Sequence, residues 1–186
     1  MTKRQQIIET TIQLVSEMGL YATPMSLIIK KSNVAAGTIY HYFESKEHLI
    51  KTIYAELREE MSKAFIHNMD NALPFKDNFF IIWKNLFYFF KDNPCKFEFI
   101  EHYARSPLEK DEVRAMNQSH HQPAVNFIQE GINKGYLRAL PLSFIIQLII
   151  AHVSVVVRMM INDETNISAI SLEQFIQSSW DSVRIN

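Results

Sequence analysis

Residues 34–43 read Val-Ala-Ala-Gly-Thr-Ile-Tyr-His-Tyr-Phe, and this stretch decides the fold of the chain. Its spacing predicts a short helix with two chemically different faces. Ile39 and Phe43 are four residues apart and share a face that can be buried, with Val34 closing over it. The other face carries small residues first, then hydroxyls and one imidazole. Such a helix can press a small first turn against a phosphate backbone and reach base edges with its later side chains.

The flanking residues extend this stretch into a helix-turn-helix motif over about residues 24–43. Residues 25–32 have the pattern of a compact helix, and Asn33 suits the left-handed backbone of the turn that follows. Downstream, Ser45 is expected to cap a long helix and to leave Lys46 in its first turn.

Another helix is predicted ahead of the motif. Apolar residues recur at helical spacing over residues 3–18, and Gly19 is a good residue to end that helix. Thr23 is a plausible N-cap for the next helix, with Pro24 at its first position. Residues 1–45 would then form a three-helix DNA-binding domain, which is too small to be stable alone.

The second predicted domain covers residues 46–186 and begins with a long helix over residues 46–70, which contains no Gly or Pro. Aromatic residues are concentrated after it, because eight of the 13 phenylalanines lie between positions 75 and 99. Near the end, residues 142–161 are rich in Ile and Val. The polar residues in this segment recur at helical spacing on one stripe, which predicts a helix. Their presence argues against a helix that spans a membrane.

Residues 37–49 read Gly-Thr-Ile-Tyr-His-Tyr-Phe-Glu-Ser-Lys-Glu-His-Leu, and they resemble the signature of TetR-type (TetR/AcrR) transcriptional regulators. The resemblance implies an all-α fold of about nine helices, with an N-terminal three-helix helix-turn-helix unit. It also implies a C-terminal helical domain that binds a ligand and dimerises through its last two helices. Thr38, Tyr40, His41 and Lys46 match positions that commonly touch DNA in that family.

The predicted roles at the DNA follow from the chemistry of these side chains. Thr38, Tyr40 and Tyr42 would fix the register on phosphates. His41, helped by Ser26 and the small face at Ala36, would read base edges or thymine methyls. The predicted DNA-binding residues are Ser26, Ala36, Gly37, Thr38, Tyr40, His41, Tyr42 and Lys46.

Composition restricts the alternatives. The net charge of −1 over 186 residues argues against a protein that coats nucleic acid by charge alone. Cys95 is the single cysteine, so an internal disulfide is excluded and a reducing cytoplasm is the expected location. We find no paired motif for catalysis and expect neither an enzyme nor a cofactor or metal.

The aromatic segment has two open interpretations. It is either plain core or an apolar pocket closed by a few polar groups, suited to a flat or cationic apolar effector. The predicted ligand-binding residues are Phe79, Trp83, Phe87, Phe99, His102 and Tyr103.

The last two predicted helices carry more apolar surface than one subunit can cover, so we expect a homodimer with a two-fold four-helix contact. The predicted interface residues are Ile149, Val153, Val156, Arg158, Phe175 and Trp180.

The sequence therefore favours a cytoplasmic, sequence-specific regulator that binds a double-stranded DNA operator, most simply a repressor released by a small apolar or aromatic ligand. Two alternatives stay open. One is a DNA-binding regulator without a ligand that is controlled by a protein partner. The other is a helical small-molecule-binding protein.

Overall fold

The computed structural model describes residues 1–108, 122–162 and 172–185, and within them the chain forms nine α-helices. The helices are α1 (Lys3–Met18), α2 (Met25–Ser32), α3 (Ala36–Tyr42), α4 (Lys46–Phe65), α5 (Phe75–Asp92), α6 (Pro94–Ala104), α7 (Gln122–Asn133), α8 (Leu142–Ile161) and α9 (Leu172–Val183). The all-α prediction is confirmed.

The chain divides into two compact units. The first consists of Met1–Glu59 and Asn93–Gln118, and the second of Glu60–Asp92 and Ser119–Asn186. The first unit therefore combines α1, α2 and α3 with most of α4 and with α6, an element from the middle of the sequence.

The first unit is held by one hydrophobic cluster to which each of its helices contributes. Ile7, Ile28 and Ile39 come from α1, α2 and α3, and all three are fully buried. The ring of Tyr103 on α6 stacks on Tyr54 of α4, with centroids 3.8 Å apart and planes 10° from parallel. Because α6 also packs along α1, the three-helix motif gains the additional core that a unit of its size needs.

In the second unit, α5 packs against α8 and α9, and α7 packs against α8. Aromatic rings hold one end of this bundle together. Phe75 stacks on Phe127 at 4.3 Å and on Tyr136 at 4.9 Å between ring centroids. Trp180 lies edge-on to Phe79 at 5.1 Å. The dense aromatic segment seen in the sequence is thus largely internal packing here.

The long helix α4 is shorter than predicted. It ends at Phe65, five residues before the predicted end at Asp70, and Asn68 follows with φ 60°. The side-chain amide of Asn85 donates to the carbonyl oxygens of Phe65 at 3.0 Å and His67 at 2.6 Å. These bonds satisfy carbonyl groups that a helix end leaves unpaired, so the helix stops without a Gly or Pro.

The start of α2 also differs from the prediction. Pro24 occupies the N-cap position, and α2 begins at Met25. The Thr23 hydroxyl donates to the carbonyl of Gly19 at 2.8 Å and does not cap the helix. Gly19 itself has φ 81° and ends α1 as predicted.

Two features that the sequence predicts involve residues outside the described part of the chain. The first is a helix over residues 109–134 with a break or kink at Pro123. Residues 109–121 lie outside the described part of the chain, and Pro123 is the second described residue of α7. The second is a capping box, Ser171-x-x-Gln174, at the start of the last helix, and Ser171 lies outside the described residues.

Candidate nucleic-acid interface

The turn between α2 and α3 has the geometry of a helix-turn-helix. α2 ends at Ser32, and Asn33 adopts the left-handed conformation with φ 52° and ψ 32°. Asn tolerates this region better than most side chains, so no Gly is needed. Val34 then turns inward and is buried at 4% exposure. α3 starts after Ala35, which has no side-chain capping bond.

α3 has the two faces that its sequence predicted. Ile39 and Phe43 are 0% and 1% exposed, whereas Tyr40 and Tyr42 are 50% and 40% exposed. His41 is also exposed, and its ring lies edge-on to Tyr42 with centroids 5.5 Å apart. The buried pair fixes the orientation of the helix, so the aromatic hydroxyls and the imidazole are presented to solvent from a rigid base.

The first turn of α3 is small and open. Ala36 and Gly37 are exposed, and Thr38 is half-buried. A Cβ placed on Gly37 would have no atom within 4 Å. On α2, Ser26 is likewise exposed. A flat surface such as a DNA backbone can approach these residues closely.

Lys46 has an internal partner that the sequence did not reveal. Ser45 caps α4 as predicted, because its hydroxyl accepts the N–H of His48 at 3.1 Å. The ammonium of Lys46 donates to the carbonyl of Leu20, in the link after α1. Burial lowers the pKa of the Lys46 ammonium. Lys46 thus ties the start of α4 to this link and keeps two further N–H donors.

Two residues of α1 brace the motif, and sequence reasoning missed both. Arg4 forms an ion pair with Glu56 of α4, and its guanidinium carbon lies 5.7 Å from the centroid of the Phe43 ring. Gln6 donates to the carbonyl of Ser32 at the end of α2, at 2.8 Å. Both are polar residues on the N-terminal helix, and only tertiary contacts distinguish them from ordinary surface residues.

The predicted ligand-binding residues fall in both compact units. Phe79, Trp83 and Phe87 are buried on α5 in the second unit. Phe99 and Tyr103 are buried in the core of the first unit, where His102 is half-buried beside Gly19. The hydroxyl of Tyr103 donates to the carbonyl of Leu108 at 3.3 Å. Ligand binding by these six residues stays a prediction.

The residues predicted to form the dimer interface differ in how far they are buried within one subunit. Ile149, Val153 and Val156 are at most 4% exposed, so they pack inside the second unit. Trp180 is 8% exposed. Arg158 and Phe175 are half-buried.

The exposed side of α8 is apolar as well, since Phe144 and Val155 are 52% and 50% exposed. Among the described residues, α8 is the one helix long and apolar enough to cross a membrane, by length and composition only. About a third of its most apolar 18-residue window is buried within the protein. Dimerisation through α8 and α9 stays a prediction.

Comparisons with known proteins agree with this architecture. A family model described as "Bacterial regulatory proteins, tetR family" matches residues 7–53, and one described as "Tetracyclin repressor-like, C-terminal domain" matches residues 74–184. An "Uncharacterized HTH-type transcriptional regulator" of Haemophilus influenzae is 32% identical over 107 residues, which are 58% of this chain and 57% of that relative. The chain therefore aligns with little more than half the length of this curated relative.

Solved structures match over nearly the whole chain. A TetR family transcription regulator from Marinobacter aquaeolei superposes with a TM-score of 0.86 at 20% identity, covering 99% of this chain and 96% of the other. The transcriptional regulator FadR from Bacillus subtilis, solved in complex with stearoyl-CoA, superposes with a TM-score of 0.73 at 19% identity, covering 95% of each chain. The solved structures share the fold of this chain. The two family models together match residues 7–53 and 74–184. The chain belongs to the TetR family of bacterial regulatory proteins.

Proposed function

We propose that this chain is a cytoplasmic, sequence-specific DNA-binding transcriptional regulator that works as a homodimer, and that it is a repressor released by a small apolar or aromatic ligand. The observation that carries the proposal is the division of α3 into two faces. Ile39 and Phe43 anchor the helix in the core, while Tyr40, His41 and Tyr42 are exposed beside a small first turn.

This face has the chemistry that DNA requires. Hydroxyl groups at Thr38, Tyr40 and Tyr42 can donate to phosphate oxygens and set the position of α3 on the duplex. His41 can then contact a base edge in the major groove, where each base pair has its own pattern of donors and acceptors. Ser26 on α2 and Ala36 are exposed, and we expect them to add a polar and an apolar contact.

Lys46 combines two roles in this proposal. One N–H goes to the carbonyl of Leu20 and holds the start of α4, and the remaining donors can meet a phosphate. A phosphate contact of this kind contributes to all sequences equally and weakens with salt.

Pairing of two subunits through α8 and α9 would set the distance between two copies of α3. Dimers of helix-turn-helix proteins bind half-sites about 34–36 Å apart, or multiples of this distance. The exposed Phe144 and Val155 supply the apolar surface that a two-fold contact would cover. A symmetric contact through one face of α8 is the simplest closed arrangement.

An effector would act by favouring a conformation in which the distance between the two copies of α3 no longer matches the spacing of the operator half-sites. A coupling free energy of about 1–3 kcal/mol gives a change of roughly 5- to 150-fold in DNA affinity. FadR, which has the same fold, is solved with stearoyl-CoA bound. This supports testing apolar ligands, including those with an acyl chain.

The test is operator selection from random duplex DNA with the purified chain, followed by fluorescence anisotropy at fixed salt. We expect a selected site with two half-sites related by two-fold symmetry. Tyr40→Ala should weaken binding to this site, whereas Tyr88→Ala, which alters an exposed tyrosine of α5, should leave it unchanged. If the folded chain retains no duplex DNA even at low salt, the proposal is wrong.

A further inference from the structure

Two polar atoms in the second unit are buried without a hydrogen-bond partner among the described residues. They are Nε1 of Trp83 and Oγ of Ser179, and both residues are 0% exposed. Buried polar groups in folded proteins almost always have a partner, and an unpaired one calls for an explanation such as a ligand or a water. Trp83 offers only a donor, whereas the Ser179 hydroxyl can donate or accept.

Both residues belong to the packing of α5 against α9. Lys84 Nζ lies 3.4 Å from Glu173 Oε1 near the start of α9. Five residues earlier on α5, Phe79 meets Trp180, seven residues further along α9. The residue numbers rise along one helix as they fall along the other, so the two helices run antiparallel.

The two unpaired atoms are close to this contact along both helices. Trp83 is one helical turn beyond Phe79 and shares its face of α5. Ser179 directly precedes Trp180 and lies on the buried face of α9. We refer to Phe79, Trp83, Ser179 and Trp180 as the α5–α9 contact.

Among the described residues, the buried neighbours of Trp83 along α5 are mainly apolar. On α5, Phe79, Ile82, Leu86 and Phe87 are all at most 3% exposed. A water bonded to these two atoms would have only two polar partners, the smallest number found for buried waters, which have about two to four. A carbonyl oxygen accepts two hydrogen bonds and has no proton of its own to place, which suits a pair of donors in apolar surroundings.

We propose that the α5–α9 contact is the polar anchor of a ligand site. It takes a neutral, mainly apolar molecule with a carbonyl group, and the Trp83 indole N–H and the Ser179 hydroxyl both donate to that carbonyl oxygen. An ionised head group is disfavoured, because it would lose its hydration among apolar side chains. The identification of this ligand as the effector rests on the proposed function, whereas its binding does not.

The experiment compares benzophenone with diphenylmethane, which has the same shape and a methylene group in place of the carbonyl. Binding of each to the full chain is measured by isothermal titration calorimetry without DNA. We expect benzophenone to bind roughly 30-fold more tightly, the value of about two net hydrogen bonds. Trp83→Phe and Ser179→Ala should each reduce this ratio.

A matched control is available outside the contact. Ser154→Ala makes the same chemical change as Ser179→Ala at another buried serine of the second unit, on α8, whose hydroxyl is not among the unpaired buried atoms. It should preserve the preference for the ketone. If Trp83→Phe does not fold, Ser179→Ala provides the same comparison.

Three results would overturn the proposal: equal affinity for the two compounds, no binding of either, or an unchanged preference in both Trp83→Phe and Ser179→Ala. Failure of the proposed function would look different. In that case benzophenone would bind with the expected preference, but the affinity of the chain for its selected operator would stay the same when the ketone is added.

Discussion

Replacing Gly37 by Ala should make the protein more stable and a poorer DNA binder. Gly37 lies in the first turn of α3 with helical backbone, and an added Cβ would meet nothing within 4 Å. Ala is favoured over Gly in a helix by about 0.5–1 kcal/mol, because glycine loses more conformational freedom on folding. The free protein should gain up to this amount.

The DNA complex should respond in the opposite direction. If α3 brings its first turn against a phosphate, the new methyl group separates the backbone N–H groups from it. A hydrogen bond to a charged group is worth about 1.5–3 kcal/mol, so its loss weakens the operator complex by about tenfold or more. Stability and affinity are therefore expected to change with opposite signs.

Gly131 provides the matched control, because it is also helical, on α7. Here an added Cβ would overlap the ring of Phe75 and lie 2.9 Å from Cδ1 of Leu137. Overpacking costs about 1–3 kcal/mol, which outweighs the helix gain, so Gly131→Ala should destabilise the protein.

The assays are urea denaturation for stability and fluorescence anisotropy for operator affinity, both at fixed salt. A lower free energy of unfolding for Gly37→Ala would contradict the conclusion that a methyl group fits at this helical position. Unchanged or tighter DNA binding would show that Gly37 does not lie against the DNA.

Three further outcomes are expected. Lys46→Met should lower the free energy of unfolding, because the bond to Leu20 is lost, and should weaken DNA binding equally for all sequences, with a salt slope about one unit shallower; a sequence-selective loss would contradict a phosphate contact. Burial lowers the pKa of His152 below its usual 6.5, so the unfolded chain binds more protons just below that pH, and stability should be complete above about pH 6.5 and fall as the pH drops towards the folded-state pKa. His152→Gln should flatten this part of the pH profile in thermal unfolding, and an identical profile would show that His152 does not cause it. Val155→Glu should place a charge on the exposed apolar side of α8 and split the dimer; an unchanged mass by light scattering would argue against α8 as the interface.

The helix-turn-helix was readable from the sequence because its signals are local. The spacing of Ile39 and Phe43, the left-handed tolerance of Asn33 and the cap at Ser45 each depend on residues within one or two helical turns. Local backbone energetics decide such features, and the structure places all four residues as expected.

Other features depended on residues far apart in the chain and were not readable. The length of α4 was overestimated because its end is stabilised by Asn85, a residue of the next helix. The assignment of α6 to the first unit rests on stacking of Tyr103 on Tyr54. The predicted ligand residues were grouped by closeness in sequence, yet they belong to two separate units.

The sequence by itself determined the helical class, the DNA-reading motif and the apolar helix over residues 142–161, because periodicity and turn chemistry act over a few residues. Only the tertiary structure decided which apolar residues of α8 are core and which are exposed, and that Lys46 bonds to Leu20. It also revealed that Trp83 and Ser179 are buried without partners among the described residues. Burial and pairing depend on which helices meet, and residues distant in the chain settle that question together.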